Sequence, residues 1–208
     1  MTINWQGFSS FKIQEKNDIL LIDPIEKIFN NLTAEEKKVS ICLLSSLDFL
    51  TYDQKIIEAA PHIFKYPGEY EVNDISLRIS DSLGPEGKRN NIFSIRWQGI
   101  HIVHLGLLKQ KNSISKIVER VNGADILMIP IGGNTVLEAS DAIEIVHQIE
   151  PNIVIPMFYK TDEKNNFKLN DAQYFIQEMG QEQEILETLK IEKQDINLEK
   201  TKLIILKP

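Results

Sequence analysis

The chain has 208 residues, of which 42% are hydrophobic and 25% charged, a balance typical of one globular domain with its own core. Its net charge of −7 argues against the basic surface that binding to nucleic acid or to anionic membranes requires. We find no apolar run long enough for a transmembrane helix, no signal peptide and a single cysteine, Cys42, which excludes an internal disulfide; a cytoplasmic protein is therefore expected.

The first half of the chain has the composition and turn signals of a β-rich region. Strands are predicted over Trp5 to Ile13 and Ile19 to Ile22, and the polar turn between them predicts a hairpin. Ile41 to Leu44 predicts a buried strand that ends in a polar loop, where α/β proteins usually place functional residues. A capping-box pattern predicts a helical turn from Thr33, and a short helix is expected over Gln54 to Ala60.

Further strands follow this helix, interrupted by a segment rich in turn-forming residues. We predict strands over Ile63 to Tyr66, Tyr70 to Val72, Ile75 to Ile79, Ile92 to Trp97 and Ile100 to Leu105. The glycines and proline within Gly84 to Asn91 predict that this segment is an exposed loop.

The second half alternates between helical and strand patterns. Helices are predicted from Ile114, with Ser113 as a plausible N-cap, over Leu137 to Ile149 and over Asp171 to Met179. The second of these helices is expected to bury Ala142, Ile143, Val146 and Ile149. Strands are predicted over Ala124 to Ile131, Ile153 to Met157, Leu186 to Ile191 and Leu203 to Leu206. A β-rich half followed by a β-α-β-α-β half predicts a layered α/β sandwich.

Short stretches along nearly the whole chain match the landmarks of one family. They are Trp5 to Ile13, Leu21 to Pro24, Pro67 to Val72, Asn90 to Phe93, His104 to Gly106, Ile129 to Gly133 and Ile155 to Lys160. As an ordered set they make the chain similar to metallo-β-lactamase-fold proteins, in a small bacterial and archaeal branch that resembles ascorbate-6-phosphate lactonase. This resemblance implies an αββα sandwich, with two mixed β-sheets between outer helices, formed by residues 1–208 as a single domain.

The resemblance also locates a metal site and indicates that its ligands are replaced. Active members of the family carry a His-x-His-x-Asp-His loop, a bridging aspartate and a last histidine. The matching positions here are Ser46, Asp48, Leu50 and Thr51 for the loop, Leu107 for the aspartate and Phe158 for the histidine. The family's early Trp-x-Gly-His motif likewise ends in Phe8.

The replacements remove the chemistry that a metal requires. Zinc takes about four nitrogen, sulfur or oxygen ligands. Leucine and phenylalanine offer none, and the hydroxyls of Ser46 and Thr51 are poor zinc ligands at neutral pH. Asp48 alone is a good anionic donor, and one carboxylate cannot hold a metal that would generate a hydroxide nucleophile. We therefore expect no metal or other cofactor.

Four polar residues are candidates for a residual pocket: Asp23, Asp53, Asp81 and His104. Asp23 ends a strand in a family landmark and is expected to brace the turn or the neighbouring loop. His104 matches a histidine that the family keeps, and we expect a structural role for it. His101 and His104 lie three residues apart on a predicted strand, so they should point to opposite faces of the sheet.

Three functional hypotheses follow. The first is a catalytically degenerate homologue with a binding or structural role, whose partner is a small molecule or a protein. The second is a hydrolase of a phosphorylated or lactone-type small molecule that uses rebuilt zinc or manganese ligands, drawn from Asp48, Asp53, Asp81 and His104. The third is a homo-oligomeric scaffold.

Overall fold

Two mixed β-sheets face each other in the computed structural model, which describes residues 1–26, 39–109, 114–161, 167–180, 183–196 and 200–208. Helices flank the sheets, so the predicted layered α/β sandwich is confirmed. The core lies between the sheets, where Phe11 of one sheet and Phe93 of the other both contact the ring of His104.

The first sheet has six strands in the order β13-β1-β2-β3-β4-β5. These strands are β1 (Thr2–Gly7), β2 (Ser10–Glu15), β3 (Asp18–Ile22), β4 (Ile41–Leu43), β5 (His62–Phe64) and β13 (Leu189–Lys190). β1, β2 and β3 are antiparallel, whereas β3, β4 and β5 are parallel. The parallel strands β3 and β4 therefore both end at the same edge of the sheet, where Asp23 and Ser45 follow them.

The second sheet has eight strands in the order β12-β14-β11-β10-β9-β8-β7-β6. These strands are β6 (Gly68–Val72), β7 (Ile75–Leu83), β8 (Arg89–Trp97), β9 (Ile100–His104), β10 (Ile126–Pro130), β11 (Ile153–Met157), β12 (Gln183–Leu186) and β14 (Lys202–Leu206). β6 to β9 form an antiparallel meander, and β9 to β12 with β14 are parallel. β10 and β11 are buried along their whole length, as expected of parallel strands covered on both faces.

The α-helices of the described residues are α1 (Gln54–Ala59), α2 (Ile114–Val121), α3 (Ala139–Ile149) and α4 (Gln173–Met179). α3 contacts β10, α2 and α4, so it is the centre of the helical layer on the second sheet. It buries Ala142, Ile145, Val146 and Ile149, whereas Ile143, expected in this stripe, is only partly buried. None of the described helices combines the length and apolar character of a membrane span.

The structure corrects three predicted elements. Leu186 to Ile191 is not one strand, because β12 ends at Leu186 and β13 (Leu189–Lys190) belongs to the other sheet. Trp5 to Ile13 is a hairpin of β1 and β2 rather than one strand, because the chain turns at Gly7 and Phe8, both of which have positive φ. Gly84 to Asn91 is not wholly an exposed loop, since Asn90 and Asn91 are buried within β8 and only Pro85–Gly87 forms a 3-10 turn. The predictions at Thr33 and Ser113 lie outside the described residues.

The different burial of two isoleucines on α3 gives a test of its orientation. We expect Ile145→Ala to lower the free energy of unfolding by about 2–5 kcal/mol, because it removes a fully buried side chain and leaves a cavity. Ile143→Ala should cost clearly less, since that side chain already contacts solvent. Urea denaturation of both variants measures the difference, and equal losses would contradict this orientation of α3.

Candidate functional site

A buried carboxylate occupies the edge of the first sheet where β3 and β4 end. Asp23 has no exposed surface, and its Oδ1 accepts a hydrogen bond from the Ser45 backbone N–H at 2.7 Å. Its Oδ2 accepts from the Ser45 hydroxyl at 2.6 Å. The Tyr52 hydroxyl lies 3.2 Å from Asp23 Oδ1 and accepts the Ser46 N–H at 2.9 Å. Asp23 thus fixes both ends of the loop between Ser45 and Tyr52.

Burial shifts the pKa of this carboxyl upward. Removal from water raises the pKa of Asp23 from 3.8 to about 6, and the hydrogen bonds from Ser45 and Tyr52 oppose that rise. The Ser9 hydroxyl also lowers this pKa, although it makes no hydrogen bond of ordinary geometry. Asp23 is therefore largely ionised at neutral pH and is stabilised by neighbouring hydroxyl and N–H groups.

His104 lies on β9 between the two sheets, with no exposed surface. Its Nε2 donates to the Ser9 carbonyl oxygen at 2.9 Å, and its Nδ1 accepts the Gly106 N–H at 3.0 Å. Burial lowers the pKa of His104 to about 4, so the ring is neutral at pH 7. Both ring nitrogens are engaged with backbone groups, which leaves neither of them free to bind a metal.

Two buried asparagines connect the loops around this region. Asn91 Nδ2 donates to the carbonyl oxygens of Leu44 and Lys65 at 2.9 and 3.0 Å, and so ties β8 to the first sheet. Asn90 accepts the Leu107 N–H at 2.6 Å and donates to the Leu105 carbonyl at 3.0 Å. The Asn91 amide therefore cross-links the two sheets, and the Asn90 amide holds the turn after β9 against β8.

Four phenylalanine rings pack together near the ends of β1 and β11. Phe8, Phe158 and Phe167 contact one another pairwise, with ring centroids 5.5 to 5.6 Å apart. Phe49 adds a contact to Phe167 at 5.6 Å. We call Phe8, Phe49, Phe158 and Phe167 the aromatic cluster. Its centre is apolar and closed, since Phe158 has no exposed surface.

The backbone at this cluster adopts conformations that bulky residues rarely take. Phe8, Asp23 and Phe158 have φ of 50°, 48° and 51°, in the left-handed region. The Phe158 N–H donates to the Phe8 carbonyl oxygen at 2.9 Å, which joins the two turns directly. Gly132 packs against the Phe158 carbonyl so closely that any side chain there would collide with it. Such strain persists only where the surrounding structure enforces it.

The positions that the resemblance assigns to metal ligands divide into two groups. Ser46, Leu50, Leu107 and Phe158 are buried, and the Ser46 hydroxyl donates to the Arg89 carbonyl at 3.1 Å. Asp48 and Thr51 are exposed. The buried positions are thus hydrocarbon or already hydrogen-bonded, and the strongest remaining donor faces solvent.

The four candidate pocket residues do not form one constellation. Asp23 and His104 both lie close to Ser9, since Asp23 interacts with its hydroxyl and His104 with its carbonyl oxygen. Asp53 instead caps α1, accepting N–H groups from Lys55 and Ile56, and Asp81 is exposed on β7. Within the residues described, no three His, Cys, Asp or Glu side chains are placed to hold a metal ion. The donors present therefore do not fit a catalytic zinc or manganese centre.

The sequence alone does not mark Phe49, Tyr52 or Phe167 as parts of this region. Their contacts join segments far apart in the chain, and no local pattern marks them. One signal in the sequence does point to an aromatic cluster. Phe8 and Phe158 are both aromatic residues at positions where the family resemblance expects histidine in the same metal site.

Two facing mixed sheets with this strand order define a metallo-β-lactamase-type α/β sandwich. The family model of the beta-lactamase superfamily domain matches residues 2–158, and the chain belongs to this superfamily.

Similar proteins extend this assignment. A UPF0173 metal-dependent hydrolase of Symbiobacterium thermophilum is 35% identical over 193 residues, which is 77% of this chain and 85% of the relative. A UPF0173 protein of Pyrococcus furiosus is 25% identical over 181 residues, 77% of this chain and 84% of the relative. A solved Thermotoga maritima structure, of a candidate zinc-dependent hydrolase of the metallo-β-lactamase superfamily, has a TM-score of 0.78 at 21% identity and covers 99% of both chains. That structure supports the fold.

Replacing Asp23 tests the pH linkage of the buried carboxyl. Its pKa is higher in the folded chain than its ordinary value, so between pH 3.8 and 6 the folded state holds the proton more tightly. The contribution of Asp23 to the free energy of unfolding therefore falls as pH rises through this window. We expect Asp23→Asn to gain stability relative to the native chain between pH 4 and 7, by roughly 3 kcal/mol.

Denaturant titrations of both proteins at several pH values measure this gain. Burial lowers the pKa of His104 to about 4, so its contribution to the free energy of unfolding rises with pH, opposite to that of Asp23. Both proteins contain His104, so subtracting their free energies of unfolding at each pH removes this contribution. Asp81→Asn, on the exposed end of β7, corrects for the loss of one negative charge. A stability difference that stays constant with pH would show that Asp23 does not carry this linkage.

Proposed function

We propose that this chain is a metal-free, catalytically degenerate member of its superfamily with a binding or structural role. The observation that carries the proposal is the aromatic cluster. Phe8 and Phe158 stand at two positions where the family resemblance expects histidine, and their rings contact each other with centroids 5.6 Å apart.

The physical chemistry of the cluster opposes metal binding. A divalent cation among phenyl rings and leucine side chains would lose its hydration without gaining ligands, at a large cost in free energy. Leu107, at the position expected for the bridging aspartate, has no exposed surface. Without a bound metal the chain has no means at this site to make hydroxide at neutral pH.

Several relatives are named metal-dependent hydrolases, which favours the second hypothesis. In this chain, hydrolysis through a metal requires ligands other than those of the family. Asp53 is engaged as a helix cap and His104 uses both ring nitrogens, so two of its four candidate donors are already occupied. Asp48 and Asp81 are exposed, and we rank hydrolysis through a rebuilt metal site second.

A binding role has a candidate surface at the rim of the closed site. Leu47, Tyr66 and Leu83 are 39%, 54% and 46% exposed, unusually high for large apolar side chains. Arg89 lies over the Tyr66 ring at 5.6 Å, pairs with Leu83 across the strands and accepts, at its carbonyl oxygen, the hydroxyl of Ser46, the residue before Leu47. The surface combines apolar and cationic groups, which suits a protein or small-molecule partner with apolar and acidic groups. Homo-oligomer formation stays a prediction.

Metal analysis of the purified protein tests the proposal directly. We expect less than about a tenth of an equivalent of zinc, iron or manganese after purification without chelator, against the full occupancy that a catalytic site needs. Calorimetric titration with zinc should likewise show no stoichiometric binding. One or two tightly held equivalents would overturn the proposal and place the hydrolase hypothesis first.

The structural role of the aromatic cluster predicts a large cost for opening it. Phe158→Ala should lower the free energy of unfolding by about 3–5 kcal/mol, because a fully buried ring leaves a cavity among the other rings. Phe158→Leu, which keeps most of the volume, should cost much less. Chemical denaturation compares them. A small loss for Phe158→Ala would instead mean that this position lines an open, solvated pocket.

A further inference from the structure

A second polar site lies on the outer face of the eight-stranded sheet, away from the aromatic cluster. His101 and His104 are both on β9, but His104 faces the six-stranded sheet while His101 faces outward, toward the loop after α2. Ser94 of β8 and His101 line a cavity of about 150 Å³. Nothing in the family resemblance assigns chemistry to this face.

Ser94 and His101 are in close hydrogen-bond contact. Ser94 Oγ lies 2.7 Å from His101 Nε2, and His101 Nδ1 lies 2.9 Å from the Gly123 carbonyl oxygen. A carbonyl oxygen only accepts, so Nδ1 carries the ring proton and Nε2 of the neutral ring accepts the Ser94 hydroxyl proton. This is the arrangement of a serine nucleophile, its histidine base and a group that orients the base.

The surroundings hold the imidazole in this tautomer and orientation. His101 is 2% exposed, and its backbone N–H donates to Asp125 Oδ2 at 2.7 Å. Lys193 in turn contacts the same Asp125 oxygen at 2.9 Å, which fixes the loop that carries Gly123. Ser94, in contrast, is only partly buried, and it lines the cavity.

Burial of the His101 ring favours its neutral form. Burial lowers the pKa of His101 from its ordinary value, and the positive charges of Arg96 on β8 and Lys193 act in the same direction. The hydrogen bond to Gly123 and the charge of Asp125 oppose the shift. A base that is unprotonated at neutral pH can take a proton from the serine.

The cavity also carries positive charge close to the dyad, from Arg96. Arg96 is the cross-strand partner of His101 and lines the cavity, as does Arg78, which pairs with Glu69 at 2.9 Å. The cavity's volume of about 150 Å³ is below the range of about 300–1,000 Å³ usual for drug-sized ligands, which favours a small acyl group.

From this geometry we propose that Ser94 and His101 form a nucleophile–base dyad that accepts the acyl group of small esters, preferably ones with a carboxylate on the acyl chain. Ser94 Oγ bonds to the ester carbonyl carbon as its proton moves to His101 Nε2. The bond from that carbon to the leaving oxygen then breaks, and His101 returns the proton to the leaving group. Attack by water, with His101 as base again, releases the acid and restores Ser94.

Covalent labelling tests the dyad in the native chain. p-Nitrophenyl acetate and the p-nitrophenyl monoester of succinic acid serve as probes, with peptide mass spectrometry to locate the acyl group. We expect acylation at Ser94, faster with the succinate ester, and loss of the label in Ser94→Ala. Ser76→Ala is the matched control, because Ser76 lines the same cavity on β7 and should leave labelling unchanged.

The acylation rate and its pH dependence distinguish a role of His101 as general base from a purely structural role. His101→Gln should slow acylation about a hundredfold or more, the range of general-base catalysis, and remove the rise of the rate with pH that deprotonation of His101 gives the native chain. Absence of a label at Ser94 with excess probe, or an equal rate in folded His101→Gln, would overturn the proposal.

A second pair of variants keeps the test valid if His101→Gln does not fold. We expect the thiol of Ser94→Cys to react with iodoacetamide at pH 7 at least about tenfold faster than that of Ser76→Cys, because a paired histidine stabilises the thiolate. The native Cys42 does not interfere, since it is buried and its pKa is raised to about 12. Equal rates for the two variants would contradict a basic His101 at Ser94.

Discussion

The structure around the candidate site depends on the burial of one carboxylate. Asp23 is placed at the end of β3 with no exposed surface, and it is stabilised by the hydroxyl and N–H of Ser45 and by the Tyr52 hydroxyl. Because removing a charge from water is costly, these donors cannot move away without a large loss of stability. The loop between Ser45 and Tyr52 is therefore held in place whether or not it carries metal ligands.

Because the buried Asp23 holds this loop, the loop can keep the conformation typical of the superfamily even without metal ligands, as we propose for this chain. The loop, the Asn90 and Asn91 amides and the buried His104 hold one another through hydrogen bonds made to backbone groups. Side chains that contribute none of these bonds can change freely, provided that the space stays filled. Phenylalanine and leucine fill it and replace hydration with packing, which accounts for a site that is closed and apolar.

The sequence predicted the layered sandwich well, because strand periodicity, turn residues and an ordered set of family landmarks all agreed. It failed where local signals were misleading. Phe8 turns the chain with a positive φ that its residue type disfavours, so the β1–β2 hairpin was read as one strand. The glycines and proline near Gly84 predict an exposed loop that extends to Asn91, although Asn90 and Asn91 are buried in β8. Neither the contact of Phe49 with Phe167 nor that of Ser94 with His101 follows a local pattern, since each depends on how the strands and loops assemble.

The left-handed backbone at Phe8 and Phe158 has a consequence for the evolutionary history of such a chain. Both residues hold main-chain conformations that their side chains disfavour, and a direct hydrogen bond joins their turns. The hydrogen bond that joins the two turns is made by main-chain groups, which every residue type at these positions also carries, proline at position 158 excepted. Descendants could exchange rings for polar groups, or ancestors polar groups for rings, one codon at a time without rebuilding the loops. Removal of one ring leaves a cavity that lowers the stability of the fold, whichever way the exchange runs. We therefore expect such exchanges to pass through side chains of similar volume.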